Sequence, residues 1–279
     1  MSLKRNRFCF ETEGLLTAEG TWMQEHEIRL NVADMVVSLK PGPGVRVVGH
    51  VDSFLTDELP EASIGIRVGG MPDWTGELHQ LSSGADLGWD AFRTSDGESV
   101  LVERLDGDMV VRFDLERPCR VVEVLLKGSA EGAAGKALPE RELLLVETMP
   151  LPVVVLLAGR GAIFLHSCAV ALKGEGLLFA GVSGSGKSTM AELWRKFGPP
   201  SSTVIDDEHI LARNSTESTI LFGAPWSRGA RKATFSRTPA RALFFLAHGE
   251  LNQCDRVSSS QALALLMSQV FLPVWSQEQ

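Results

Sequence analysis

The sequence predicts a mixed α+β protein in which a mainly antiparallel β half precedes a half built around one glycine-rich loop. In the first half, short β-rich runs are separated by Asp96-Gly97 and Asp106-Gly107. Asp-Gly between alternating strands is a strong hairpin signal, because both turn residues need positive φ. In the second half, an apolar run, the loop GVSGSGKST and a helical run follow one another directly.

The stretch KGSAEGAAGKALPE at 127–140 interrupts the apolar pattern with small residues, glycine and a proline. Such a break is typical of a linker. It predicts a β-rich N-terminal domain over 1–130 and a second domain over 140–279. Nothing in the residues of the N-terminal domain specifies its role, and recognition of a substrate is one interpretation.

The strands of the first half include WDAFRT, ESVLVERL and MVVRFDL. In the last of these, side chains alternate between two faces of the sheet. We expect Val111, Phe113 and Leu115 on the packed face and Val110, Arg112 and Asp114 on the wet one.

The second half begins with MPLPVVVLLAGRG, which we interpret as a buried helix ending at Gly159 or Gly161. Its β-branched residues also suit a strand. Two apolar runs, AIFLHSCAVAL and GLLFAG, follow and are joined by the turn KGEG. STMAELWRKFG predicts a helix ended by Gly198, with an apolar stripe of Met190, Leu193, Trp194 and Phe197.

Composition limits the classes of partner. The 279 residues carry a net charge of −8, without a long run of Lys or Arg, so nucleic acid is not an expected partner. No apolar stretch approaches the ~18–20 residues of a membrane span, and we expect a cytoplasmic protein that does not bind membranes. Cys9, Cys119, Cys168 and Cys254 form no CxxC pair, which indicates buried hydrophobic residues, although one reactive thiol stays open.

The loop fits the phosphate-binding pattern G-x-x-x-x-G-K-[ST] at Gly181, Gly186, Lys187 and Ser188. Glycines let backbone N–H groups approach phosphate oxygens, and the following helix adds its positive N-terminal end. Lys187 is expected to reach the β- and γ-phosphates, and the Ser188 hydroxyl to bind Mg²⁺. The predicted nucleotide-binding residues are Gly181, Val182, Ser183, Gly184, Ser185, Gly186, Lys187, Ser188 and Thr189.

A phosphate loop of this kind needs a second group to hold the metal, usually an acid at the end of a neighbouring strand. Asp206 and Asp207 follow the apolar Val204 and Ile205. One acid would hold Mg²⁺ while the other accepts the proton of an attacking hydroxyl, and a solvated turn is the alternative interpretation.

Other polar residues are weaker candidates. His166 lies in an apolar strand, where a lone histidine is more often structural than catalytic. We interpret His209 and His248 as structural. Arg228 and Arg231 suit phosphate oxygens but equally suit a solvated basic loop.

The segments FLHSCAVALKGEGLLFAGVSGSGKST, VIDDEHILAR and GAPWSRG, in this order and spacing, resemble HPr kinase/phosphorylase and the wider group of HPr-kinase-like serine kinases. The core of that family is related to phosphoenolpyruvate carboxykinase. The resemblance covers about 145–275 and implies a carboxykinase-like P-loop kinase domain over 140–279, with ATP and Mg²⁺ as cofactors. Family members often form hexamers, so it also implies a homo-oligomer.

The resemblance also implies roles for individual residues. His166 matches the active-site histidine of the strand before the loop, Asp206 the metal-associated acid and Asp207 its catalytic neighbour; which acid is the base stays open. Thr189 stands where the HPr-specific enzymes carry Glu, and no counterpart of their RGLG signature is present. The resemblance therefore does not specify HPr as the acceptor.

The leading hypothesis is an ATP- and Mg²⁺-dependent kinase that phosphorylates a hydroxyl, favouring a serine of a protein or peptide. Lys187, Asp206, Asp207 and His166 are its expected catalytic residues. Two alternatives stay open: a kinase of a small hydroxylated metabolite, and a nucleotide-responsive binding protein that does not transfer phosphate.

Overall fold

Strands form most of the described chain and three helices pack against them. A computed structural model describes residues 22–24, 27–43, 45–49, 51–69, 78–84, 89–94, 99–104, 109–114, 119–127, 141–144, 149–226 and 235–271. The first part of the chain forms two sheets and the second part forms a third. The mixed, sheet-rich fold class is thereby confirmed.

The two sheets of the first part contain eleven strands. The smaller sheet has the order β1-β4-β11 and the larger β2-β3-β5-β10-β9-β8-β7-β6. Their bounds are β1 Trp22–Gln24, β2 Ile28–Val32, β3 Met35–Pro41, β4 Val45–Gly49, β5 Ala62–Gly69, β6 Leu78–Gly84, β7 Trp89–Thr94, β8 Ser99–Arg104, β9 Met109–Asp114, β10 Val121–Lys127 and β11 Arg141–Leu144. A short 3-10 turn spans Asp52–Phe54.

The predicted antiparallel strands are present. β7 pairs antiparallel with β8, and β8 with β9, although the Asp-Gly turns between them lie outside the described residues. Burial on β9 follows the expected alternation except at Val110, which is also buried. Three pairs among the described strands of the first part are parallel, β3-β5, β5-β10 and β4-β11. Parallel pairs join distant segments, which local sequence patterns do not reveal.

The third sheet has the order β15-β13-β14-β18-β17-β16-β12-β19. The predicted run AIFLHSCAVAL is two strands, because the chain leaves β12 at His166 and enters β13 at Cys168. Lys173 and Gly174 form the expected turn, with φ of 52° and 83°. The bounds are β12 Ala162–His166, β13 Cys168–Leu172, β14 Glu175–Ala180, β15 Ser202–Asp206, β16 His209–Asn214, β17 Thr219–Gly223, β18 Arg237–Phe245 and β19 Val270–Phe271.

Strand β18 connects the two arms of this sheet. Its first three residues pair antiparallel with β17, and the segment from Ala240 to Phe245 pairs parallel with β14. The two arms therefore share one continuous strand.

The helices are α1 Pro150–Leu157, α2 Lys187–Phe197 and α3 Ser259–Met267. Helix α1 is the predicted buried helix, and it ends two residues before Gly159. Burial of Val153, Val154 and Val155 explains why a β-branched run is helical here, since packing overrides propensity. None of the described helices reaches the length and apolarity that crossing a membrane requires.

Helix α2 forms where it was predicted, but its packed side differs from the expected stripe. Ala191 is buried, whereas Leu193 and Phe197 are 47% and 69% exposed. Lys187 is buried on the same side of the helix as Ala191, and Met190 and Trp194 pack against the core there. These positions follow Lys187 at helical spacing.

The largest hydrophobic core contains residues from both sides of the predicted linker. It joins Leu30 and Val124 of the larger first sheet to Leu156 of α1 and Phe222 of β17. The linker itself lies outside the described residues beyond Lys127, and the division into two domains stays a prediction. Cys119 and Cys168 are buried as expected, but Cys254 is exposed.

Candidate functional site

The sequence-predicted site residues gather at one edge of the third sheet. β13 pairs antiparallel with both β14 and β15, so β14 and β15 run in the same direction and end at the same edge. The register places Cys168 beside Phe179 and Ala169 beside Asp206. At about 4.8 Å per strand, the end of β15 lies about 10 Å from the end of β14, where the glycine-rich loop begins.

The loop over 181–186 connects β14 to α2, which is the strand–loop–helix context that the motif requires. At Gly181 the chain passes very close to its neighbours. A Cβ at this position would lie 2.5 Å from Ser185 Oγ and 2.9 Å from the backbone oxygen of Leu246. Gly186 has φ of 99°, a conformation that favours glycine.

Lys187, the first residue of α2, turns its side chain back toward this loop. Its side chain is buried, and Nζ donates hydrogen bonds to the backbone oxygens of Gly181 at 2.6 Å and Val182 at 3.2 Å. Burial lowers the pKa of Lys187. The ammonium group is therefore held at the centre of the loop, where an anion would meet it.

Asp206 is the most perturbed acid of the site. Its carboxylate is buried, and Oδ1 accepts hydrogen bonds from the backbone N–H groups of Glu208 at 2.8 Å and His209 at 2.9 Å. Oδ2 is also buried and has no hydrogen-bond partner among the described residues. Burial, opposed by the two hydrogen bonds and reinforced by Asp207 and Glu208, raises the pKa of Asp206 to about 7.

Asp207 has a different environment from that of its neighbour. Its side chain is partly exposed and Oδ2 lies 3.0 Å from Arg195 Nη1 of α2. This pair connects the turn after β15 to the helix after the glycine-rich loop. The two acids thus divide into one buried and one accessible carboxylate.

His166 ends β12 and lies near the loop. Burial, together with the positive charge of Lys187, lowers the pKa of His166, so the imidazole is neutral at pH 7. Burial and then the negative charge of Asp207 raise the pKa of Cys168 to about 12. Cys168 therefore stays a thiol, which fits the expected small hydrophobic residue rather than a nucleophile.

Two histidines interpreted as structural lie within the site. His209 pairs with His166 across β16 and β12, and their ring centroids are 6.3 Å apart. His248 Nε2 lies 2.7 Å from the backbone oxygen of Gly184 in the glycine-rich loop. The position of His209 three residues after Asp206 was a usable signal, whereas the contact of His248 depends on strand order. Arg228 and Arg231 lie outside the described residues.

No model of a known protein family matches the chain, and a search of curated proteins also found no match. The chemistry of the site therefore rests on its own residues.

The residues at this edge could hold phosphate groups and a hard divalent cation. A buried carboxylate oxygen without a partner, Asp206 Oδ2, suits Mg²⁺, which prefers oxygen ligands. The hydroxyl-bearing Ser188 is exposed in the first turn of α2. Because Gly181 has no side chain, the loop backbone can pass close to Ser185 and Leu246, where a Cβ would clash. Ser188 and Asp206 are thus the residues that could hold the cation, and 181–189 those that could hold phosphates.

Proposed function

We propose that this protein is an ATP- and Mg²⁺-dependent phosphotransferase resembling the HPr-kinase-like serine kinases and their carboxykinase-related core. The acceptor is a hydroxyl, and a serine of a protein or peptide is favoured by the resemblance. One observation carries the proposal: the glycine-rich loop with its buried lysine lies at the same sheet edge as a buried acid that has an unpartnered oxygen. Phosphoryl transfer needs this pairing of phosphate cradle and metal-holding acid.

Each residue has a role that follows from its environment. The amides of the loop and Lys187 bind the phosphates, and Ser188 and Asp206 hold Mg²⁺, which when bound neutralises charge on the phosphoryl group. With Asp206 assigned to the cation, Asp207 is the acid left to accept the proton, and it is the more exposed of the two. His166 contributes a neutral imidazole beside Lys187.

The first experiment measures nucleotide binding by thermal unfolding with and without Mg-ATP. The wild-type protein should be stabilised, since a ligand that binds only the folded state raises its stability. Lys187→Ala should abolish this shift, whereas Lys196→Ala, at the exposed end of the same helix, should retain it. An equal shift in the Lys187 variant would contradict the phosphate-binding role.

The second experiment follows transfer of the γ-phosphate. The protein is incubated with labelled ATP, Mg²⁺ and cell extract, and the labelled products are separated by size. Label on a protein supports the proposed acceptor class, and label on a small molecule supports a metabolite kinase instead. Failure of transfer from several extracts, with binding intact, would contradict the phosphotransferase and favour a nucleotide-responsive binding protein.

A further inference from the structure

Three side chains with metal-binding atoms converge beside the glycine-rich loop. The proposed phosphoryl transfer does not use them together. These are His166 at the end of β12, and Glu208 and His209 at the turn into β16. One ligand atom from each lies within 4.8 Å of the others. Two imidazoles and one carboxylate bind borderline transition metals such as Zn²⁺ better than they bind Mg²⁺.

The strand register produces this convergence. His166 and His209 are directly opposed across the antiparallel pair of β12 and β16, and opposed residues of such a pair place their side chains on the same face. Glu208 immediately precedes His209, and its Oε1 lies 3.9 Å from His209 Nε2. All three ligands are therefore fixed by one pair of strands and one turn.

The backbone around the three residues is well held. The N–H groups of Glu208 and His209 both donate to Asp206 Oδ1, and the N–H of Ser167 donates to the backbone oxygen of Glu208 at 3.1 Å. The ring of Phe164 packs on that of His209, with centroids 5.1 Å apart. These backbone hydrogen bonds hold the three residues in position, and the ligand atoms can approach one another by side-chain rotation.

The ligand atoms need to move only a short distance closer together to bind a metal. Ligand atoms around a tetrahedral Zn²⁺ at about 2.1 Å are about 3.4 Å apart. Rotation of the Glu208 side chain, which is 30% exposed, can supply the difference. His209 is nearly enclosed, while His166 and Glu208 are half-buried, which leaves one side of the cluster open to solvent.

We propose that His166, Glu208 and His209 form a binding site for a divalent transition metal such as Zn²⁺. Three protein ligands and an open position are the arrangement of catalytic rather than structural zinc sites. Asp206, whose Oδ2 is assigned to Mg²⁺, is not one of the three ligands. Metal binding by these three residues requires no bound nucleotide.

Zn²⁺ titration of the chelator-treated full chain, followed by calorimetry, tests the proposal. One equivalent should bind to the wild-type protein. His166→Ala and His209→Ala should each weaken binding by at least about 10- to 100-fold. His79→Ala, at an exposed position on β6 in another sheet, should leave the affinity unchanged. Wild-type affinity in a folded His166→Ala/His209→Ala double variant would overturn the proposal.

Three further measurements test the site without relying on the histidine variants alone. Glu208→Gln retains the shape of the side chain at an accessible turn, and it should weaken Zn²⁺ binding by about 10-fold or more; unchanged affinity would overturn the site. Co²⁺ in place of Zn²⁺ should give ligand-field bands in the visible spectrum that the double variant lacks. Lys187→Ala should retain Zn²⁺ binding, which separates this site from the nucleotide-binding proposal.

Discussion

Asp206 combines a buried carboxylate with one satisfied and one unsatisfied oxygen. Burial makes its ionisation costly, and the turn after β15 nevertheless uses its Oδ1 to hold two backbone N–H groups. A cation at Oδ2 would offset the cost, because opposite charge favours the ionised form. The same side chain therefore organises the turn and presents an oxygen to the site.

The raised pKa of Asp206 predicts a pH-dependent stability. The folded-state pKa of about 7 lies above the ordinary value of 3.8, so the folded protein favours the protonated acid. Without added cation, stability should fall between pH 4 and 7, by up to about 1.4 kcal/mol per pH unit, and level off above. Chemical unfolding at a series of pH values measures this.

Asp206→Asn is the control for this pH dependence, since the amide cannot ionise. The variant should lose the decline in this pH window and keep the contributions of other groups. A wild-type pH profile in the variant would contradict the assignment to Asp206.

Asp207 is the predicted proton acceptor of the transfer step. Asp207→Asn should leave the Mg-ATP thermal shift nearly intact and reduce turnover by about 10²–10⁴-fold, because the amide cannot take the proton. Steady-state kinetics with the identified acceptor provides the measurement. Loss of nucleotide binding in parallel with turnover would indicate that Asp207 is a metal ligand instead. Asp206→Asn, at the residue assigned to Mg²⁺, should show this parallel loss and serves as the comparison.

The sequence predicted individual site residues unevenly. Strand, loop and helix follow one another directly in the chain, so the positions of Gly181 and Lys187 could be read locally. Asp206 follows an apolar strand and could be read in the same way. His248 reaches the loop only because β18 lies beside β14, and no local pattern encodes that neighbour.

At the scale of elements, the glycine-rich loop depends on a close approach of two backbones. The backbone oxygen of Leu246, at the end of β18, lies where a side chain on residue 181 would begin. The N–H of Leu246 also donates to the backbone oxygen of Ala180 at 2.8 Å. The end of β18 thus packs directly against the start of the loop and restricts its path.

Gly181→Ala should therefore distort the loop. The added Cβ would lie 2.9 Å from backbone that cannot rotate away, and overpacking of this kind costs about 1–3 kcal/mol. We expect lower thermal stability and loss of the Mg-ATP shift. Gly65→Ala on β5 adds a Cβ to open space and should leave the Mg-ATP thermal shift unchanged. A normal Mg-ATP shift in the Gly181→Ala variant would contradict the close packing of the loop against β18.

Helix α2 shows why element existence was easier to predict than element orientation. Its apolar pattern is real, yet Leu193 and Phe197 face solvent. Lys187, which the pattern treats as polar, is buried on the inward side instead. Its hydrogen bonds to the loop carbonyls are a tertiary feature that periodicity cannot register.

At the scale of the whole molecule, the early sheet and the later sheet are joined by polar contacts as well as by the shared core. Arg213 Nη1 of β16 donates to the backbone oxygens of Ala33 at 2.8 Å and Asp34 at 3.1 Å, in the turn between β2 and β3. Arg237 Nε of β18 lies 2.9 Å from Asp34 Oδ2. The hairpin turn is therefore held by two strands of the other sheet.

Arg213→Ala should weaken this junction. Hydrogen bonds from a charged donor contribute about 1.5–3 kcal/mol when sheltered, and partial exposure here reduces the expected loss to about 1–2 kcal/mol. Denaturant unfolding measures the change. Arg241→Ala breaks an exposed pair with Glu175 at 3.8 Å and should have no measurable effect; an equal effect of both substitutions would argue against a specific role of Arg213.

The global arrangement was the least predictable level. Hairpins between adjacent strands were expected, whereas the parallel pairs and the core common to both halves join segments far apart in the chain. A cytoplasmic location and a homo-oligomeric state remain predictions.

Strand β18 is shared by the two arms of the third sheet, so its number of residues sets the register of one arm relative to the other. It pairs with β17 at one end and β14 at the other, and its register with β14 already shifts by one residue between Ala240 and Ala242. A further insertion or deletion of one residue between these segments would turn one set of side chains to the opposite face. Turns elsewhere can lengthen without such a penalty. We therefore expect homologous chains to keep the number of residues in this strand constant.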